Sequence, residues 1–187
     1  TMTPIILAST SPFRKQVLEK LQLPFTAVDP GIVETYQQNE NPADTVQRLA
    51  YEKALAVAER VNDGLVIGSD QLAVTDDRVL GKPGNHAAAI RQLEYCSSKT
   101  VAFMTGLVLI DACSGETQRA TEIFKAHFRQ LSRQQIERYL QKETPYNCAG
   151  SFKSEGLGIA LFDRIEGEDP NALIGLPLIK LTNMLTT

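Results

Sequence analysis

The chain has 187 residues, of which 43% are hydrophobic and 22% charged, and its formal net charge at pH 7 is -3. This length accommodates one domain with a substantial buried core, and we expect a single domain over residues 1–187. Lysine and arginine form no run along the chain, which argues against a nucleic acid polymer as partner, because wrapping one needs a basic face. A pocket for a small polyanion needs only a few local cations.

The cysteines, the histidines and the apolar segments argue against further classes of protein. Three scattered cysteines are too few for a disulfide framework or a paired zinc motif. The two histidines, His86 and His127, have no second ligand at metal spacing, which disfavours a zinc site or a histidine-based triad. The start of the chain lacks the pattern of a signal peptide, and no apolar run reaches the roughly 18 residues that span a bilayer. We therefore expect a cytoplasmic protein with no membrane partner.

The first predicted elements indicate that the chain begins with alternating strands and helices, as in an α/β fold. The apolar run over residues 4–9 predicts a strand buried on both faces, and Ser11-Pro12 predicts the N-cap and first residue of a helix. Residues 25–28 follow as a second strand. Asn41-Pro42 begins a second helix in the same way, and its apolar residues form one stripe at helical spacing.

Strands and helices continue to alternate along the rest of the chain. A buried strand over 65–70 ends in the acid Asp70, and Asp76-Asp77 marks a turn between short strands at 72–75 and 79–80. The remaining predicted elements are a helix over 86–96, paired strands over 101–110 and 121–128, a helix from the capping box at Ser132 to about Lys142, strands over 157–162 and 163–165, and a closing helix over 177–185. This order predicts one α/β unit with a mixed, twisted sheet surrounded by helices.

The turn Ala8–Lys15 is a candidate phosphate site, because a strand there leads directly into a helix. Such a turn presents unpaired backbone N–H groups and the positive end of the helix dipole. Ser9, Thr10 and Ser11 add hydroxyl donors, and Arg14 and Lys15 add positive charge. The glycines of a Walker loop are absent, and Ser-Pro also caps helices that bind nothing, so both interpretations stay open.

Four charged residues are candidates for chemistry. Asp70 at the end of a buried strand is costly unless it is paired, hydrogen-bonded or bound to a metal, and ligand sites of α/β folds lie at strand ends; a capping role in a turn is the alternative. Lys53 lies beside the apolar stripe of the second helix, and Lys82 lies in the stiff turn 80–83, yet either pattern also fits a surface lysine. Glu34 has no distinctive context of its own.

A fifth candidate is the segment Ala149–Gly156. It combines two glycines, two serines, a cation and an acid without an apolar period. Loops of this kind often carry specificity, although a plain surface loop has the same composition.

Together and in this order, these segments resemble the Maf family of nucleotide pyrophosphatases. The resemblance covers nearly the whole chain and rests on Glu34 and on the segments 8–15, 47–54, 68–71, 81–83, 149–156 and 175–178. It implies hydrolysis of a nucleoside triphosphate to the monophosphate and pyrophosphate with a divalent metal cation such as Mg or Mn. It also implies an elongated α/β fold with a central mixed sheet and a cleft, similar to that of inosine triphosphatases, and it is compatible with a homodimer.

The resemblance assigns roles to individual residues. Asp70 matches the proposed proton acceptor of the family, and Asp70 with Glu34 would hold the metal. The positions that line the triphosphate site of the family are occupied here by Ser9, Arg14, Lys53 and Lys82.

Three positions that distinguish branches of the family are occupied by Phe13, Gln71 and Glu155. A branch selective for UTP and dTTP would carry Arg, Thr and Gln there. An aromatic residue followed by Gln and Glu is similar to the 7-methyl-GTP branch, in which tryptophan is usual at the first position. N7-methylation makes guanine cationic, which favours an aromatic face and a nearby carboxylate.

The resulting hypothesis is an enzyme that removes modified nucleotides from the pool. Asp70 would position or deprotonate a water that attacks the α-phosphorus and expels pyrophosphate, with charge neutralisation and alignment contributing most of the rate. One alternative is a relative with UTP, dTTP or broad nucleotide selectivity. Another is a nucleotide-binding regulator of cell division that does not hydrolyse its ligand.

Overall fold

The computed structural model describes residues 3–153 and 156–187. In chain order the helices and strands are β1 (Ile5–Leu7), α1 (Pro12–Glu19), β2 (Thr26–Ala27), α2 (Pro42–Ala58), β3 (Leu65–Thr75), β4 (Arg78–Leu80), α3 (His86–Cys96), β5 (Thr100–Asp111), β6 (Thr117–Phe128), α4 (Arg133–Glu143), β7 (Phe162–Glu166) and α5 (Leu178–Leu185). Short 3₁₀ helices lie at Ala149–Ser151, Leu157–Leu161 and Pro170–Ile174. No helix in the described ranges is long and apolar enough to cross a membrane.

The strands of the described residues form one mixed sheet. Its order is β2-β1-β3-β5-β6-β7, and β4 pairs with the end of β3. β1 runs parallel to both β2 and β3, whereas β4 is antiparallel to β3 and β7 is antiparallel to β6. A mixed sheet with flanking helices confirms the predicted α/β class.

Alternate residues of the central strands pack against different helices. Leu7 and Ile67 join a buried cluster with apolar residues of α1 and α5. Ile6 and Val66, one position earlier on each strand, join a second cluster with apolar residues of α2. Because successive side chains of a strand point to opposite faces, even-numbered residues at the start of β3 face α2 and odd-numbered residues face α1 and α5.

Contacts within the described residues separate the chain into two compact units. The first contains the chain up to Gln71 together with Met104–Glu122 and Asp169–Thr187. The second contains Leu72–Phe103 and Ile123–Glu168. The unit boundaries fall inside β3, β5 and β6, and the expected single domain over 1–187 stays a prediction.

The predicted helix starts are confirmed by their caps. Ser11 Oγ accepts a hydrogen bond from the backbone N–H of Arg14, and Pro12 is the first residue of α1. Asn41 caps α2 in the same way, and Ser132 forms the predicted capping box at the start of α4. These side chains satisfy backbone N–H groups that a helix leaves without partners in its first turn.

The prediction that a strand ends at Asp70 is wrong, because β3 continues to Thr75. The strand changes partners along its length. Its first part pairs in parallel with β1 as far as Ile67, and its last part pairs with β4 from Ala73 onward. Asp70 lies between these two pairings, beyond the carboxyl end of the parallel ladder that β1 and β3 form.

The predicted strand over 157–162 is also wrong, because Leu157–Leu161 is a 3₁₀ helix and β7 begins only at Phe162. Local hydrogen bonds bend this segment. The N–H of Gly158 donates to the carbonyl of Lys153 at 3.1 Å, and the N–H of Leu157 donates to Glu143 Oε1 at 2.7 Å. The chain can turn here because Gly158 has no side chain, since a Cβ would lie 2.4 Å from the Lys153 carbonyl oxygen.

Gly68 allows α2 to approach β3 closely, and we expect Gly68→Ala to destabilise the protein. A Cβ at this position would lie 2.2 Å from the Ala50 carbonyl oxygen and 2.9 Å from Ala54 Cβ, so the helix backbone must move. Overpacking of this kind costs about 1–3 kcal/mol, which urea denaturation would measure as a lower midpoint.

Gly81→Ala is the matched control, because a Cβ at Gly81 meets nothing within 4 Å. We expect this variant to keep the stability of the native protein. Equal stability of the Gly68→Ala and Gly81→Ala variants would contradict the close approach of α2 to β3.

Candidate functional site

A buried ion pair between α2 and β3 forms the centre of the candidate site. Lys53 Nζ lies 2.8 Å from Asp70 Oδ1, and the two side chains are only 9% and 8% exposed. Asp70 is an even-numbered residue of β3, and it therefore faces α2. The sequence left a surface lysine and a capping aspartate as alternatives. Burial of Lys53 excludes the first, and the continuation of β3 to Thr75 excludes a strand-ending turn at Asp70.

Glu34 shares the same ammonium group. Its Oε1 lies 2.8 Å from Lys53 Nζ, and its side chain is 41% exposed. Glu34 belongs to the loop between β2 and α2, so the ion pair joins this loop to a helix and a strand. One lysine thus contacts two carboxylates, one buried and one partly exposed, and its single charge offsets only one of them.

Arg48 on α2 holds the loop that carries Glu34. Its Nη2 donates to the carbonyl of Thr35 at 2.7 Å, and its guanidinium binds both carboxylate oxygens of Glu40. The hydrogen bonds to Glu40 raise the pKa of Arg48 and lower the pKa of Glu40. Such paired hydrogen bonds fix geometry as well as charge.

Asp70 combines a raised pKa with one oxygen that has no partner among the described residues. Burial raises its pKa above the usual range of an aspartate, although Lys53 and Arg14 oppose this shift. Its Oδ2 is buried and has no hydrogen-bond partner among the described residues. A buried carboxylate oxygen without a partner is costly, so this atom is suited to a ligand, a water or a metal.

The turn between β1 and α1 presents hydrogen-bond donors. Ser9 is 8% exposed, and its Oγ accepts from the N–H of Ser11 at 3.0 Å. Ser11 Oγ in turn accepts from the N–H of Arg14 at 3.2 Å. Because both oxygens act as acceptors, their hydroxyl protons can donate to an anion. The N–H of Phe13, at the second position of α1, has no partner within the helix.

Arg14 lies against the turn that precedes α5. Its Nε donates to the carbonyl of Gly175 at 3.0 Å. Gly175 has a φ of +106°, and a Cβ at this residue would lie 3.0 Å from Arg14 Nε. Burial lowers the pKa of Arg14, whereas Asp70 and Glu34 raise it, so its guanidinium lies within the field of the two carboxylates.

Gln71 and Phe13 lie in the same unit as the ion pair. Gln71 follows Asp70 and therefore faces the opposite side of the sheet, where its Nε2 donates to Thr105 Oγ1 and to the carbonyl of Ala172. Phe13 is partly buried in the first turn of α1.

The other predicted site residues are not joined to this group. Lys82 is exposed in the loop that follows β4, and it belongs to the second unit. Glu155 lies outside the described residues. The structure therefore brings seven predicted residues into one unit, namely Ser9, Phe13, Arg14, Glu34, Lys53, Asp70 and Gln71.

Sequence reasoning missed the residues that hold this group in place. Thr105 and Ala172 bind Gln71, Gly175 binds Arg14, and Arg48 holds the loop of Glu34. Arg48 lies within the segment 47–54 and Gly175 begins the segment 175–178, and both segments belong to the family resemblance. The sequence could therefore have indicated these two residues. Thr105 and Ala172 had none, because a threonine in a strand and an alanine in a turn are ordinary.

These features define an α/β protein whose first unit places a buried acid and a lysine near a strand–turn–helix that can bind anions. The family model described as "Maf-like protein" matches residues 4–187. The chain therefore belongs to the Maf-like family, as its motifs had indicated.

Curated relatives align with almost the whole chain. A 7-methyl-GTP pyrophosphatase of Colwellia psychrerythraea is 54% identical, over 98% of this chain and 92% of that protein. The proteins of the same name from Alcanivorax borkumensis and Pseudoalteromonas atlantica are 54% and 55% identical over 97% of this chain, and over 92% and 93% of their own length. The solved structure of the Staphylococcus aureus Ham1 protein aligns with a TM-score of 0.45 and 15% identity, over 68% of this chain and 72% of that chain, a likeness too weak to support a conclusion.

We expect Lys53→Met to destabilise the protein strongly. The substitution leaves Asp70 buried and charged without its cation, and breaking a buried pair in this way costs about 3–5 kcal/mol. Urea denaturation at neutral pH with a metal chelator would measure the loss. The double variant Lys53→Met, Asp70→Asn should recover part of it, and a double variant as unstable as the single one would contradict the pairing.

The raised pKa of Asp70 predicts how stability changes with pH. A folded-state pKa above the unfolded value means that stability from this group is complete below the ordinary aspartate pKa of about 3.9 and is lost as pH rises through the folded pKa. With chelator present, the native protein should therefore lose stability relative to Asp70→Asn over this interval and level off above it. A difference that does not change with pH would contradict the raised pKa.

Proposed function

We propose that this protein hydrolyses 7-methyl-GTP to 7-methyl-GMP and pyrophosphate and so removes a modified nucleotide from the pool. The observation that carries the proposal is the buried Asp70, held by Lys53 through one oxygen while the other has no partner among the described residues. A protein that only binds nucleotides has no need of such an acid. Relatives more than half identical over nearly the whole chain bear the name of this activity.

The phosphate chain of the substrate has a suitable partner in the first unit. The hydroxyl groups of Ser9 and Ser11 and the N-terminus of α1 can donate hydrogen bonds to phosphate oxygens. Arg14 and Lys53 supply positive charge. Neutralising and aligning the phosphates in this way supplies most of the rate of phosphoryl transfer.

The carboxylates of this site fit a divalent cation of the Mg or Mn type. No group of three or more His, Cys, Asp or Glu side chains in the described ranges is arranged to hold a metal. Mg commonly takes only one or two carboxylates and completes its shell with water and substrate phosphates, so Asp70 and Glu34 are a sufficient protein contribution. The unpartnered, buried Asp70 Oδ2 is the atom best suited to a ligand role. A bound cation would neutralise phosphate charge and polarise the α-phosphorus.

Asp70 is the residue that we assign to the attacking water. Lys53 fixes the orientation of the Asp70 carboxylate by the bond to Oδ1, and burial raises the pKa of this carboxyl while no cation is bound. Asp70 would orient the water and accept its proton as the oxygen attacks the α-phosphorus and pyrophosphate leaves. General-base assistance of this kind contributes about 10²–10⁴ in rate.

Phe13 and Gln71 are the described residues that we assign to the base. The ring of Phe13 offers a face to a cationic N7-methylated guanine, an attraction that unmethylated bases lack. Glu155 stays the third predicted member of this set. Phosphate binding by Lys82 likewise stays a prediction. So do the homodimer and the cytoplasmic location.

The test is analysis of the products from 7-methyl-GTP, GTP, UTP and dTTP with Mg or Mn. We expect pyrophosphate and 7-methyl-GMP from the native protein. We expect Asp70→Asn to lower kcat at least about 10²-fold, because it removes the proton acceptor. Asp63→Asn, which makes the same change at an exposed position, is the control and should keep native activity.

Each other product would overturn a different part of the proposal. Release of orthophosphate would show cleavage between the β- and γ-phosphates and would contradict attack at the α-phosphorus. Pyrophosphate chiefly from UTP or dTTP would contradict the assignment of Phe13 and Gln71 to methylated guanine. Unchanged kcat in Asp70→Asn would contradict its role as proton acceptor.

A further inference from the structure

The side chain of Gln71 is fixed by two partners inside the first unit. Its Nε2 donates to Thr105 Oγ1 at 3.0 Å and to the carbonyl of Ala172 at 2.6 Å. An amide nitrogen carries two N–H donors, so these bonds use both of them. Within the described residues, the carbonyl oxygen Oε1 of Gln71 receives no hydrogen bond.

The positions of the amide nitrogen and oxygen of Gln71 follow from the chemistry of their neighbours. A backbone carbonyl can only accept a hydrogen bond, so the amide atom next to the Ala172 oxygen must be the nitrogen. Thr105 Oγ1 also lies 3.3 Å from the Ala172 oxygen, to which it donates its proton. Its lone pairs are then available to accept from Gln71. The three groups form one consistent arrangement, and reversing the amide would face two acceptors with each other.

Both anchors of Gln71 are rigid. Thr105 is fully buried on β5, next to Gly106, where a Cβ would lie 2.4 Å from the carbonyl oxygen of Val46 on α2. Ala172 lies in the 3₁₀ helix Pro170–Ile174, which the buried Asp169 fixes by accepting from the N–H groups of Asn171 and Ile179. These contacts restrain both partners of the Gln71 amide.

We propose that Thr105 is a positioning residue that makes Gln71 present only an acceptor, Oε1, to the bound base. A guanine base offers a row of donors, N1–H and the 2-amino group, and a cationic donor forms a stronger hydrogen bond than a neutral one. Thr105 thereby favours the donor edge of N7-methylated guanine without touching the nucleotide. This inference rests on the proposed function for the identity of the base.

The test is binding of the product, 7-methyl-GMP, measured by calorimetry, so that it does not depend on hydrolysis. Thr105→Val keeps the size of the side chain but removes the hydroxyl group, and we expect it to weaken binding by about 3–10-fold, the effect of one neutral hydrogen bond. Thr105→Ser keeps the hydroxyl and should bind as the native protein does. In the Gln71→Ala background, Thr105→Val should have no further effect.

Kinetics separate positioning from a loss of structure. We expect Thr105→Val to raise KM for 7-methyl-GTP while kcat stays within about twofold, because uniform binding is lost. An equal loss of binding in the Gln71→Ala background, a loss as large in Thr105→Ser, or a fall in kcat at unchanged KM would overturn the inference. If another nucleotide proves to be the substrate, the proposed function fails, while the coupling between Thr105 and Gln71 is measured with the monophosphate of that nucleotide.

Two modified ligands test the acceptor itself. 7-methyl-IMP lacks the 2-amino group, and 1,7-dimethyl-GMP lacks N1–H. We expect at least one of them to bind the native protein more weakly than 7-methyl-GMP, and the difference to disappear in Gln71→Ala. Equal affinity of the native protein for all three ligands would overturn the assignment of Oε1 as the group that reads the base.

Discussion

The candidate site depends on the ion pairs that the ammonium group of Lys53 forms. This group lies 2.8 Å from a carboxylate on β3 and 2.8 Å from a carboxylate on the loop before α2. Without it, the buried carboxylate of Asp70 would lose the cation that its Oδ1 contacts. Because buried charges are costly unless paired, this lysine fixes where helix, strand and loop meet.

Residues next to Asp70 on β3 serve the same arrangement. The absence of a side chain at Gly68 allows α2 to lie close enough for Lys53 to reach Asp70. The opposite face of β3 carries Gln71, which Thr105 and Ala172 hold in one orientation. The alternation of a single strand thus separates two tasks, with proton transfer assigned to the α2 face and base selection assigned to the other.

Local patterns in the sequence were sufficient to predict most helices and strands, but not which strands pair or which distant side chains meet. Ser11-Pro12 predicted the start of α1 because capping is decided within four residues, and an acid in an apolar strand pointed to Asp70 because its burial demands a partner. The continuation of β3 past Asp70 could not be predicted, since it depends on β4 as a second pairing partner. The contacts of Lys53 with Asp70 and Glu34, and of Thr105 with Gln71, join residues 17 or more positions apart. No local periodicity of the sequence predicts such contacts.

The measurement that tests the central claim most directly is a crystal structure with Mn and a substrate analogue whose α–β bond cannot be hydrolysed. Anomalous scattering would locate the cation independently of the protein. The account predicts that Asp70 and Glu34 would hold the cation, so that the peak lies beside these two carboxylates while Lys53 remains bound to Asp70 Oδ1. A peak elsewhere, with the analogue bound away from Asp70, would contradict the assignment of this ion pair as the reaction centre.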